Sequence, residues 1–245
     1  MRPSVSRPGA ARRPRTVIAP SAENGVGAGA EGSGARYSWR VDEQYFSDQA
    51  PASEADLRTL RIEARGFEFA MRVSPKVFSA TRLDLGTRQL LAEAPDLPAE
   101  GRFLDIGCGW GPLSVTMAKE SPNAEVWAVD VNSRAVDLTA RNAALNGCPN
   151  VRPLVEKDAI DAAETEGARF DVIWSNPPIR IGKEALHSLL LTWLDRLAPT
   201  GAAYLVVQRN LGADSLTDWL NAQGYSAGKI ASKKGFRIIE VRPGA

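Results

Sequence analysis

From Arg102 onward the chain keeps one rhythm: a short apolar run, a turn, then a stretch with helical spacing. Strand-like runs fall at 102–106, 125–131, 151–156, 170–175, 202–208 and 236–242, and helix-like stretches lie near 112–119, 133–146, 183–197 and 213–223. Strands separated by helices of this length pair in parallel, because the chain must cross back over the sheet to restart in the same direction. The pattern therefore predicts an α/β fold, a mostly parallel sheet with helices on both faces. Local chemistry agrees at two helix starts. Pro112 suits a first helical position, where its missing N–H costs nothing, and Asn132 or Ser133 can cap the helix that follows.

Ahead of this core the period changes to two. Leu60, Ile62 and Ala64 face one way and Arg61, Glu63 and Arg65 the other; after Gly66 the alternation resumes with Phe67, Phe69, Met71 and Val73. Two such runs meeting at Arg65-Gly66 predict a β-hairpin. A helix with Leu83, Leu90 and Leu91 on its apolar side follows over 83–94. Residues 1–35 are rich in Pro, Gly, Ala, Ser and Arg and hold too few large apolar groups to offset chain entropy, which predicts a disordered basic tail. The expected division is thus tail 1–35, hairpin and cap 36–98, and core 99–245. The whole chain carries +1, yet its first 40 residues hold seven arginines against Glu23 and Glu31, a local +5 that leaves −4 on the rest. Overall charge therefore points to no nucleic-acid partner, and RNA binding falls to the tail and local patches. No run reaches the roughly 18 apolar residues of a membrane helix, and no apolar stretch follows the early arginines as in a secretory signal. A transit peptide is a weaker option, since Pro3, Pro8 and Pro14 break its helix. Cys108 and Cys148 read as reduced thiols of a cytoplasmic protein. A single His and no cluster of metal spacing predict no metal.

Four motifs close successive predicted strands. The first is Asp105-Ile106-Gly107-Cys108-Gly109-Trp110-Gly111. Its glycines let a ligand approach the backbone closely. Its spacing departs from Gly-x-Gly-x-x-Gly, with the third glycine one residue early and an acid two residues before the first, which counts against a nicotinamide cofactor. The second is Asp130, at a strand end where an acid accepts hydrogen bonds from ribose hydroxyls. That role serves NAD and S-adenosylmethionine (SAM) alike, and a charge favoured by the helix dipole is the plainer alternative. The third is Asp158-Ala159, read as ending the third strand, where the acid could receive an adenine amine. The fourth is Ser175-Asn176-Pro177-Pro178-Ile179. Two prolines fix the backbone and remove two donors, leaving a corner rich in acceptors. The Asn176 side-chain oxygen and the Pro177 carbonyl can both accept from one NH2 group and turn its lone pair out of conjugation. A nucleoside site beside an amine-holding corner points to methyl transfer from SAM to a planar nitrogen.

These residues resemble the class I SAM-dependent methyltransferases. More narrowly, the chain is similar to the small-domain methyltransferases related to the enzyme that modifies a guanine exocyclic amine in small-subunit ribosomal RNA. The resemblance spans about 45–241 and also rests on Tyr45-Phe46-Ser47, Val77-Phe78-Ser79, Leu83-Asp84-Leu85-Gly86-Thr87 and Lys234-Gly235-Phe236-Arg237. It implies a Rossmann-like sheet of seven strands, the sixth near 226–231 and the last antiparallel. It implies that Asp105, Gly107 and Gly109 meet the methionine part of SAM, that Asp130 holds the ribose and Asp158 the adenine side, and that Cys108, Val131 and Ala159 also bind the cofactor. Residues 78–87 would cover the cofactor, with Asp84 and Thr87 as contacts, while Asn176 and Pro177 act in catalysis and Asn176 also borders the cofactor. Relatives acting on bases or glutamine amides often place an aromatic after the second proline. Ile179 stands there in this chain, so stacking must come from elsewhere.

The leading expectation is an RNA guanine-N2 methyltransferase, probed against three rivals. A protein glutamine methyltransferase uses the same Asn-Pro-Pro corner. A non-catalytic RNA-binding assembly protein would need no intact site. A nicotinamide oxidoreductase conflicts with the glycine spacing. His187 is either a base or a packed helix position, with Leu190 and Leu191 as its neighbours. Arg180, Lys183, Arg209, Lys233, Lys234 and Arg237 are candidate phosphate contacts or ordinary surface charge.

Overall fold

The protein is described by a computed structural model covering residues 50–75 and 77–244. The expected basic tail and the Tyr45-Phe46-Ser47 motif lie outside these residues. Strands β1 (Arg58–Ala64) and β2 (Phe67–Val73) form the expected hairpin. Arg65 (φ 50°) and Gly66 (φ 81°) both sit in the left-handed region, as a two-residue turn that matches strand twist requires. Then follow α1 (Leu85–Glu93), β3 (Glu100–Ile106), α2 (Pro112–Glu120), β4 (Asn123–Asp130) and α3 (Ser133–Leu145). The second half runs β5 (Val151–Val155), α4 (Glu156–Thr165), β6 (Phe170–Ser175), α5 (Lys183–Leu194), β7 (Leu197–Gln208), α6 (Ala213–Ala222), β8 (Ser226–Lys233) and β9 (Phe236–Arg242).

Seven strands make one sheet in the order β5-β4-β3-β6-β7-β9-β8. The first five pair in parallel, and β9 runs antiparallel to both β7 and β8. Strand order reverses between β3 and β6, the place where open α/β sheets hold ligands beyond their strand ends. Both strands stop level there, Ile106 opposite Ser175, and the Ser175 hydroxyl donates to the Ile106 carbonyl at 2.8 Å. The glycine motif and the Asn-Pro-Pro corner therefore leave the sheet side by side.

Alternation along the strands sorts the core into two layers. Phe103, Val126, Trp174, Tyr204 and Val206 face α1, α2, α3 and the hairpin. Leu104, Trp127, Ile173, Leu205 and Val207 face α4, α5 and α6. The hairpin is also fastened by polar groups. Asn142 on α3 and Asn146, which caps its C-terminus one turn later, each bond both backbone groups of a β2 residue. Asn142 takes the Arg72 N–H and C=O at 2.6 and 2.9 Å, and Asn146 those of Ala70 at 3.2 and 3.0 Å. An amide side chain reproduces a peptide group, so these two stand in for a neighbouring strand.

Three expectations need correcting. Helix α4 was not expected, because its buried face is only Ala159 and Ala163 and it follows β5 with no intervening turn. The third core strand ends at Val155, so Asp158 and Ala159 belong to α4 and not to a strand end. Helix α1 starts two residues late because Asp84 caps it, its Oδ2 accepting from the Thr87 N–H at 3.1 Å.

Candidate active site

The glycine motif turns sharply off β3. The Gly107 and Cys108 N–H groups both donate to the Val129 carbonyl, at 2.8 and 3.0 Å. Gly107 and Gly109 have φ of 73° and 58°, and a Cβ on either would meet no protein atom within 4 Å. The loop thus presents bare backbone to open space. Gly111 is different: its φ is 85°, and a Cβ there would lie 2.9 Å from the Thr139 hydroxyl, which itself donates to the Gly109 carbonyl. Asp105 is fully buried beneath the loop. Its Oδ2 accepts from the Ser114 N–H and hydroxyl, while its Oδ1 has no partner among the described residues. Burial pushes the Asp105 carboxyl up to about 7. Asp130 accepts from the Gly109 N–H on one oxygen and the Asn132 N–H on the other, each at 2.9 Å. Burial pushes it up to about 6 against those donors, and the nearby Glu156 charge adds to the rise.

A chamber opens in front of this loop. Among its walls are Gly107, Cys108, Gly109, Asp130, Val131, Asn176, Asp84 and Thr87, together with Phe78 and Glu156. The fold therefore gathers these sequence candidates from elements up to 92 positions apart. It leaves out Asp158, which is exposed on α4, and Ala159, which is buried in the core layer below. Glu156, missed in the sequence, takes the wall position instead. Its one signal was an acid directly after an apolar strand. Asp105 lies below the wall and not in it.

Asn176 stands where this chamber meets a second one. Its Nδ2 donates to Asp84 Oδ2 at 2.9 Å and to Thr87 Oγ1 at 3.1 Å. A carboxylate can only accept, so this tether fixes which way the amide faces and leaves Oδ1 as an acceptor with no partner among the described residues. Asp84 and Thr87 were expected to touch the cofactor; they line the first chamber and also hold Asn176. The Pro177 carbonyl takes one hydrogen bond, from the Ile179 N–H at 2.8 Å, and keeps a second lone pair. Phe78, Asp84, Asn176 and Pro178 border both chambers, whereas Pro177, Ile179, Arg180, Gln208 and Phe236 border only the second.

His187 packs face to face on Trp219, with centroids 3.5 Å apart, and borders neither chamber. Of the candidate phosphate contacts, Lys233 pairs with Glu93 at 2.9 Å and Arg237 with Asp214. Arg209, Lys183 and Lys234 are exposed and form no ion pair among the described residues. No group of three His, Cys, Asp or Glu side chains that could hold a metal occurs among the described residues, and none of the described helices is long and apolar enough to cross a membrane.

A parallel sheet opening at its switch point onto paired chambers, with an Asn-Pro-Pro corner between them, defines a Rossmann-like methyltransferase fold. The chain belongs to the methyltransferase small domain family, whose model matches residues 68–240. It is 31% identical over 205 residues to YbxB, an uncharacterized protein of Bacillus subtilis (strain 168), covering 82% of this chain and 99% of that one. It is 34% identical over 150 residues to ribosomal RNA small subunit methyltransferase C of Aeromonas hydrophila, covering 60% of this chain and 42% of the relative. The enzyme of that name from Pseudomonas aeruginosa (strain LESB58) is 32% identical over 203 residues, 80% of this chain and 58% of its own. The chain thus spans about half the length of the methyltransferase C relatives. Among solved structures, T. thermophilus 16S rRNA N2 G1207 methyltransferase (RsmC), in complex with AdoMet and guanosine, superposes with a TM-score of 0.64 at 24% identity. That match covers 80% of this chain and 53% of the other, and at this identity the likeness is one of fold.

Proposed function

We infer that the protein binds SAM in the first chamber and methylates an exocyclic amine in the second, with guanine N2 of small-subunit ribosomal RNA as the target. The observation that carries this reading is Asn176 itself. It belongs to both chambers, and its amide is tethered so that the oxygen is the free end. The residues present fit the cofactor. Asp105 offers a buried, unpartnered carboxylate oxygen beneath the loop, and the backbone at Gly107 and Gly109 faces open space. Asp130 keeps lone pairs for ribose hydroxyls, and Glu156 can accept from an adenine amine. Bound SAM supplies a methyl group on a positively charged sulfur.

The chain's own part is positional. Asn176 Oδ1 and the Pro177 carbonyl each accept one hydrogen of the amine, which aims the nitrogen lone pair toward the first chamber. A methylated nitrogen releases its proton more readily than the free amine, so the absence of His187 from the chamber walls is no obstacle. The names of the methyltransferase C relatives support an RNA target at 32–34% identity. The test uses labelled SAM and small ribosomal subunits from a strain lacking the gene. Wild-type protein is expected to label guanine N2 in the RNA, located by mass mapping. Asn176→Ala should cut the rate by about 10²–10³ while SAM affinity stays nearly intact. Label found only on glutamine amides of protein would overturn the RNA target, and calorimetry showing NAD binding without SAM binding would overturn the class.

A further inference from the structure

The corner between the chambers ends in Ile179, an aliphatic residue, yet a planar acceptor needs a flat surface to lie on. Two phenylalanines border the second chamber, Phe78 and Phe236. Phe78 is 46% exposed and belongs to neither core layer, so packing does not account for it. It stands on the rim shared by both chambers.

Phe236 arrives from the far end of the chain. Because β9 is antiparallel, its first residue lies at the end of the sheet where the parallel strands stop, opposite Gln208 of β7. The turn at Lys234 (φ 50°) and Gly235 (φ 82°) fixes that position. The ring then reaches Gly86. A Cβ on Gly86 would lie 3.1 Å from Phe236 Cε1, 2.9 Å from Asp84 Oδ2 and 3.4 Å from Asn176 Nδ2. Ring, tethering carboxylate and amine-holding amide thus converge on one bare glycine.

We propose that Phe78 and Phe236 form the stacking platform of the second chamber, replacing an aromatic after the two prolines with a two-ring surface on which a planar nucleobase can lie. The proposal rests on the amine-methyltransferase reading of the site. Stacking on aromatic side chains rewards any base, since each has a π face, and two rings offer a nucleobase more contact area than the smaller side-chain amide can use.

The test compares Phe236→Leu and Phe236→Tyr, and Phe78→Leu and Phe78→Tyr, with wild type. The probe is small ribosomal subunits from the gene-deletion strain, at saturating labelled SAM. Each Leu variant should lose roughly tenfold to a hundredfold in kcat/KM for the subunits, and each Tyr variant should recover most of it. Phe236 borders only the acceptor side, so Phe236→Leu should keep wild-type SAM affinity, and because its ring also packs against the first core layer the assays are run well below the variant's melting temperature. A variant that merely damaged the fold would lose SAM affinity as well, and the Tyr forms then decide. Leu variants as active as wild type, or Tyr variants as impaired as Leu, overturn the platform while leaving the methyltransferase reading intact. Wild-type protein that methylates a glutamine amide and no RNA overturns both.

Discussion

Asp105 and Asp130 are held in the folded chain with carboxyl groups pushed up to about 7 and about 6, in each case chiefly by burial. Their ordinary value is 3.8. Between these limits the folded state binds protons that the unfolded chain has released. Their stabilising contribution is therefore complete below about pH 4 and is lost as pH rises through 6 and 7. A cationic ligand reverses this preference, because a nearby positive charge favours the ionised carboxylate. SAM affinity is accordingly expected to rise from about pH 5.5 to about pH 8 and then level off, with protons released on binding. Calorimetry in buffers of different ionisation enthalpy counts those protons. Flat affinity with no release across that window would separate the two carboxylates from the cofactor. Asp130→Ala should weaken binding by about 1–3 kcal/mol, as a charged acceptor is lost.

Among the elements, α3 joins the hairpin to the glycine loop through one side chain. Asn142 bonds Arg72 of the hairpin and also donates to the Trp110 carbonyl, at 2.7 Å. It is fully buried, so Asn142→Ala would strand several backbone groups and should cost about 1–3 kcal/mol of stability, more than Asn146→Ala at its half-exposed site. Chemical denaturation measures both; equal and negligible losses would mean that apolar packing alone holds the hairpin. Little of this was legible in the sequence. Strands and most helices announce themselves by period, and the Arg65-Gly66 turn by its chemistry. A side chain that substitutes for a strand, such as Asn142, leaves no periodic trace. The same holds for the tether between Asp84 and Asn176, whose partners are 92 positions apart. Asp158 was misplaced because the apolar run 151–155 passes straight into helix, and nothing local marks the change. That Gly107, Cys108, Gly109 and Asp130 would meet at one place was legible because strand end, glycine and acid sit together in short stretches.

Across the whole molecule, charge is divided unevenly. The first 40 residues carry +5 and the remainder −4, while Lys233 and Arg237 are already paired with acids. The proposed affinity for ribosomal RNA is therefore expected to depend on residues 1–35, with Arg209, Lys183 and Lys234 supplying the rest. Cations that neutralise phosphates release counterions, so removing residues 1–35 should flatten the fall of affinity with salt and leave SAM affinity unchanged. Filter binding over a salt series checks it; an unchanged slope would show that the tail does not meet phosphate. The two chambers are divided along the chain as well. Walls unique to the first come, Leu189 apart, from residues 77–156, and walls unique to the second from residues 177–236. On the proposed function, choice of recipient is thus written mainly in a later stretch of the gene than grip on the methyl donor, with Phe78 and Asp84 as the exceptions. Drift or recombination confined to the later stretch can retarget such an enzyme while its donor chemistry is inherited untouched.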